Sequence, residues 1–117
     1  MRIRLLTVVE LTTFLRAAAK VWGDDERAEF VDYVAANPEA GDLIPETGGL
    51  RKMRWGRQGS GKRGGVRVIY YFSDLDMPLY LITVYAKAAR EDLSPDEKRT
   101  LTALAADLKQ LGRAGKE

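Results

Sequence analysis

Lysine and arginine side chains hold phosphates and stabilise the charge a phosphate gains during transfer, and this chain concentrates them. Between Arg51 and Arg67 stand Arg51, Lys52, Arg54, Arg57, Lys62, Arg63 and Arg67, with no acidic residue among them. The rest of the chain carries 12 basic and 17 acidic side chains, so a stretch of charge +7 sits in a body of −5. Charges spread for solubility alone would be interspersed. Segregation of this kind marks an electropositive site for a polyanion, phosphate backbone being the commonest. The competing reading is a solvated basic loop. The 117 residues include no histidine and no cysteine. That removes the usual general acid/base near neutral pH, the commonest zinc ligand, disulfides and thiolate metal sites. Catalysis here must rest on Lys, Arg, Tyr or a carboxylate.

The elements that must position these cations follow from pattern. The length suits one domain spanning 1–117. Ile3–Val9 is short and β-branched, as in a first or edge strand. Thr12 or Thr13 can cap a short helix through Phe14, Leu15, Ala18 and Val21. Asp24-Asp25-Glu26 opens a second helix with favourable charge, and Asn37-Pro38 closes it. A loop with Pro45 and Gly48-Gly49 spans 41–49. Leu50–Trp55, Val66–Phe72 and Leu79–Lys87 then read as the three strands of a meander. Ser94-Pro95-Asp96-Glu97 starts a last helix with a capping box, carrying Leu101, Leu104, Ala105, Leu108 and Leu111 on one stripe. Residues 112–117 read as a frayed tail. The longest apolar run is far below the ~20 residues of a membrane span. The N-terminus lacks a signal-peptide core, so a cytoplasmic location is expected.

Strand parity turns the run into a cluster. Successive strand residues face opposite ways. Met53 and Trp55 share one face of the first meander strand, Lys52 and Arg54 the other. Val66, Val68, Tyr70 and Phe72 form an apolar face opposite Arg67, Ile69 and Tyr71. In the third strand Tyr80, Ile82, Val84 and Ala86 oppose Leu79, Leu81, Thr83, Tyr85 and Lys87. One face can therefore collect Lys52, Arg54, Arg67, Tyr85 and Lys87.

These residues differ in how firmly they point to chemistry. Arg67 interrupts an apolar strand, where desolvating a guanidinium is costly without a partner or open access to solvent. Arg51 reads as a flank of the sheet. Arg57, Lys62 and Arg63 are phosphate contacts or solvated charges of a glycine-rich loop. Tyr70 and Tyr71 suit packing; Tyr85 is packing or an aromatic platform for a base. Gly56–Lys62 spells GxxxxGK, but Arg63 stands where a P-loop needs Ser or Thr, and a strand rather than a helix follows. Nucleotide triphosphate hydrolysis is thereby disfavoured.

The pattern resembles the RelE/ParE toxin superfamily, in particular HigB-like toxins of type II toxin–antitoxin systems. The residues carrying it are Asn37–Asp42, Thr47–Trp55, Gly61–Tyr71, Tyr80–Lys87 and Asp92-Leu93-Ser94, within about residues 30 to 108. The resemblance implies an α+β fold, with two N-terminal helices on a small antiparallel β-sheet and a C-terminal helix. It implies a metal-independent endoribonuclease, without cofactor, that cuts mRNA in the ribosomal A site. It also implies a cognate antitoxin. The family's basic pair falls on Lys52 and Arg54, its strand-opening arginine on Arg67, and the basic residue ending the last strand on Lys87. These four are the candidate catalytic residues; Arg57, Lys62, Arg63 and Tyr85 are the candidate RNA contacts. A tyrosine that some members carry near the C-terminus falls at about Leu93, so it is missing here.

The implied reaction is attack of a ribose 2′-OH on the adjacent phosphate, giving a 2′,3′-cyclic phosphate and a 5′-OH end. Arg67 would stabilise the pentavalent phosphate, Lys52 or Arg54 would promote loss of the 2′-OH proton, and Lys87 would serve the leaving oxygen. Without histidine the free enzyme should be slow, and the dependence on the ribosome that the resemblance implies would fit that deficit by orienting the mRNA. The rival readings are a ParE-like gyrase-inhibiting toxin and a non-catalytic nucleic-acid-binding module.

Overall fold

The computed structural model describes residues 6–56, 65–90 and 92–115. In chain order the elements are β1 (Val8–Glu10), α1 (Thr12–Ala18), α2 (Asp24–Ala36), β2 (Asp42–Leu43), β3 (Leu50–Trp55), β4 (Val66–Tyr71), β5 (Leu79–Ala86) and α3 (Pro95–Gly115). The five strands form one sheet in the order β1-β5-β4-β3-β2. All pairings are antiparallel except β1 with β5, which run parallel. The expected α+β architecture is thus present, with one parallel edge added to the antiparallel meander.

Both faces of the sheet are covered. On one, Phe14 and Ala18 of α1, Trp22, and Phe30 and Val34 of α2 pack on Met53, Val66, Val68, Tyr70, Leu79, Leu81 and Val84. On the other, Leu101, Leu104, Ala105 and Leu108 of α3 pack on Leu50, Ile69, Tyr71, Ile82 and Tyr85. All six residues of β4 are consequently buried, Arg67 included. The second face, expected to collect the cations, is largely covered by α3, because an apolar row of Leu50, Ile69 and Tyr71 demands a cover as much as the first row does.

Parity holds in β3 and β4 and breaks in β5. Ile69 pairs with Thr83 but Tyr70 pairs with Leu81, so Ile82 is an extra, unpaired residue. Such a bulge reverses the facing of everything on its far side. Leu79 and Leu81 therefore join Val84 on the α1/α2 face, not Tyr85 as strict alternation requires. The Ile82 carbonyl, left out of the ladder pattern, accepts a 2.6 Å hydrogen bond from the Thr13 hydroxyl. Thr13 is thus occupied by the bulge, and α1 begins after Leu11 with no side-chain cap.

The helix signals fare better. Asp24, Asp25 and Glu26 occupy the first turn of α2. At α3, Ser94 Oγ accepts from the Glu97 amide (3.1 Å) and Glu97 accepts from the Ser94 amide (2.9 Å), forming the reciprocal box. The helix runs past Gly112 to Gly115 rather than fraying there. Gly112 lies so close to Met77 that a Cβ would come within 2.6 Å of its side chain. Leu111, although in register with the stripe, is exposed.

Candidate functional site

β2 contributes only two pairs to β3, Asp42 with Lys52 and Leu43 with Arg51. Among the described residues, β3 has no strand neighbour on that side from Met53 to Trp55. A cleft of about 820 Å³ opens around this free edge. Lys52, Arg54, Arg67 and Lys87 all line it, together with Asp42, Asp92, Tyr33 and Trp55. Cations from two strands, β3 and β4, and from the residue that follows β5 are therefore brought to one concavity. A second hollow of about 480 Å³, lined by Leu43, Pro45, Leu93 and Lys98, shares Asp42, Lys52 and Asp92 with it.

Register explains the convergence. Arg54 lies directly opposite Arg67, and Arg67 directly opposite Tyr85. Two like charges directly opposite each other in a sheet are destabilising, and such a pair is relieved when an anion binds between them. Arg67 is 6% exposed and forms the buried part of the lining, with Nη1 donating to the Val66 carbonyl at 3.3 Å. Arg54 and Lys87 are exposed. Lys52 lies 3.6 Å from Asp92, a carboxylate that is itself 68% exposed. An ion pair this exposed contributes little to stability, so a phosphate can compete for the ammonium.

Local structure holds the cleft walls. Gly65 adopts φ +64°, and a Cβ there would lie 2.2 Å from the Trp55 carbonyl oxygen. Only glycine fits, and it delivers the chain into β4 two residues before Arg67. Its carbonyl accepts from the Lys87 amide at 3.2 Å, fixing the end of β5. On the other wall, Arg51 donates to the carbonyls of Gly41 (2.7 Å) and Glu39 (3.3 Å). Arg51 is thus a clamp on the 39–41 loop and not a cleft residue, in keeping with its expected flanking role. The segment after β5 is tied to α3: the Arg90 guanidinium stacks over the Tyr85 ring, 4.5 Å from its centroid, and pairs with Glu97.

Hydrogen bonding from Arg90, then from the Ser94 amide, holds the Glu97 carboxyl below its ordinary pKa of 4.5. A carboxyl with a depressed folded pKa adds stability above its unfolded value and loses it as pH falls through the folded one. The stability gap between wild type and Glu97→Gln is expected to be complete at neutral pH and to close in acid. Urea midpoints measured across that range check it; a gap independent of pH contradicts it.

Tyr85 does not serve as the expected stacking platform. It is 6% exposed, one face is covered by Arg90, and its hydroxyl finds no hydrogen-bond partner among the described residues. Burial raises the phenol pKa, Asp92 adds to the rise, and Arg90 and Arg67 oppose it. Arg57, Lys62 and Arg63, the other candidate RNA contacts, lie outside the described residues. Two aromatic residues of the cleft, Tyr33 and Trp55, were not assigned from sequence. Trp55 reads as a core-facing strand end. Tyr33 carries only the weak signal of standing one helical turn after Phe30.

Comparison with known proteins bears on what this arrangement belongs to. The family of the RelE toxin of the RelE/RelB toxin–antitoxin system matches residues 11–115. The chain belongs to the RelE toxin family. The match takes in all three helices and the four strands from β2 to β5. The same fold is found in the Escherichia coli toxin RelE, solved in the free state as a double arginine-to-alanine mutant. That comparison has a TM-score of 0.52 at 18% identity, covering 74% of this chain and 88% of the other. As a toxin of a toxin–antitoxin system, this RelE-family chain implies a neutralising protein partner. No helix among the described residues is long and apolar enough to cross a membrane.

Proposed function

We propose that this toxin is a HigB-like endoribonuclease that cuts mRNA on the ribosome in the cytoplasm, and that its antitoxin acts by denying it that substrate. The observation that carries this reading is the gathering of Lys52, Arg54, Arg67 and Lys87 on one open cleft. A phosphodiester approaching transfer is a growing anion, and planar guanidiniums match its oxygens with paired hydrogen bonds. The adjoining hollow with Lys98 gives room for a polymer rather than a single nucleotide.

In the proposed step the ribose 2′-oxygen bonds to the adjacent phosphorus and the P–O5′ bond breaks. The products are a 2′,3′-cyclic phosphate and a 5′-OH end. Arg67 neutralises the non-bridging oxygens from the buried part of the cleft. The 2′-OH proton passes to solvent water as Lys52 and Arg54 favour the 2′-oxyanion, and Lys87, exposed and positioned by Gly65, supplies the proton or charge that the departing 5′-oxygen needs. Exposed cations such as Lys87 and Arg54 are free to meet RNA, while orientation of the 2′-OH is left to the ribosome.

The test is a map of mRNA 5′ ends in cells expressing the toxin, with Lys87→Ala as the comparison. Lys87 is exposed at a strand end, so its truncation should leave the melting temperature unchanged. Cuts within translated codons are expected from the wild type, with cleavage about 10²-fold slower in the variant. DNA breaks without mRNA cuts would replace this reading with gyrase inhibition.

A further inference from the structure

We propose that Tyr33 and Trp55 form a stacking shelf for one base of the bound RNA, an extension that rests on the cleft being an RNA site. Both rings line the same cleft as the four cations. Tyr33 stands on α2 and is 39% exposed; Trp55 ends β3 and is half-buried. Their centroids are 4.9 Å apart at a 50° tilt. Trp55 is gripped from the core side by the edge-on ring of Phe30 (5.3 Å, 81°), and Phe30 stacks on Trp22 (5.4 Å). The shelf is therefore the outer end of an aromatic series anchored in the core, and its orientation is set before any ligand arrives. Preorganised rings cost little entropy on binding.

The placement relative to the cations gives the shelf its use. Arg54 and Trp55 are consecutive, so they project to opposite sides of the free edge of β3. A single strand lying along that edge can set phosphate against Arg54, Arg67 and Lys87 while a base turns over the edge onto the rings. Grooves that bind single strands combine these two features, a cationic track and aromatic faces. Tyr85, buried beneath Arg90, cannot supply the aromatic face, and Tyr33 with Trp55 can.

Titration with hexaadenylate and with an abasic ribose-phosphate oligomer of equal length, both at low salt, separates base from backbone. Hexaadenylate is expected to bind about 10-fold tighter than the abasic oligomer, the scale of one base–aromatic stack, and to quench indole emission. Tyr33→Phe keeps that preference and Tyr33→Leu, which retains apolar contact without a ring, loses it. Trp55→Phe keeps the preference and abolishes the quench. Equal binding of the two oligomers by the wild type, full preference in Tyr33→Leu, or no binding of either oligomer would overturn the shelf. Lys87→Ala reports on the phosphate track separately: it should weaken both oligomers alike. Unchanged affinities there, with the base preference intact, would overturn the phosphate track and leave the shelf standing.

Discussion

Arg67→Lys is expected to slow cleavage of ribosome-bound mRNA by about 10³-fold, the scale of losing one preorganised donor set at a developing oxyanion. The substitution keeps the positive charge and changes its form. An ammonium reaches one oxygen as a point charge, whereas the guanidinium presents a planar fork to two. Position makes the difference large. Arg67 is 6% exposed in a fully buried strand, so water screens little of what it does. It also stands directly opposite Arg54. Keeping a cation at 67 retains that opposition, so the variant isolates the fork from the charge. Single-turnover cleavage on programmed ribosomes measures the loss, and a thermal melt of the same sample shows whether folding is intact. A folded lysine variant cutting within tenfold of wild type would remove Arg67 from the proposed chemistry.

The cation cluster was legible in the sequence because two of its strands obey a strict period. In β3 and β4 alternation puts Lys52, Arg54 and Arg67 on one face, and the register pairs Arg54 with Arg67. The start of α3 was legible for a similar reason: Ser94, Pro95 and Glu97 act within one turn. What was hidden depends on tertiary packing. Nothing local marks Ile82 as a bulge; the signal is the Thr13 hydroxyl on its carbonyl, 69 residues away in sequence. β2 is two residues long and has no period to read. Its shortness nonetheless leaves the edge of β3 free and so creates the cleft. Parity says which residues share a face but not what covers it. Tyr85 shares the face of Arg67 and is lost as a platform once α3 and Arg90 close over it.

The second large effect concerns the wall of the cleft. Tyr70→Phe is expected to cost about 3 kcal/mol of stability, from two backbone groups left without partners at roughly 1–3 kcal/mol each. The Tyr70 hydroxyl accepts from the Gly41 amide at 2.9 Å and donates to the Pro38 carbonyl at 2.8 Å. The ring leaves no space for adjustment, since a Cβ on Gly41 would lie 2.8 Å from both the ring edge and the hydroxyl. This phenol therefore shares with Arg51 and the Asp42–Lys52 pairing the holding of the 38–42 segment, which brings Ala40 and Asp42 to the cleft. Burial raises the Tyr70 pKa above 10.0, opposed by the Gly41 hydrogen bond. Above pH 10 the unfolded chain gives up this proton while the folded chain keeps it, so wild type loses stability as pH rises. Phenylalanine has no such proton, and the gap between the two proteins should narrow in alkali. Urea denaturation at neutral and alkaline pH measures both parts. A loss under 1 kcal/mol at neutral pH, or a gap that widens in alkali, would remove the Tyr70 hydroxyl from what holds the loop and leave that to Arg51 and the β2–β3 pairing.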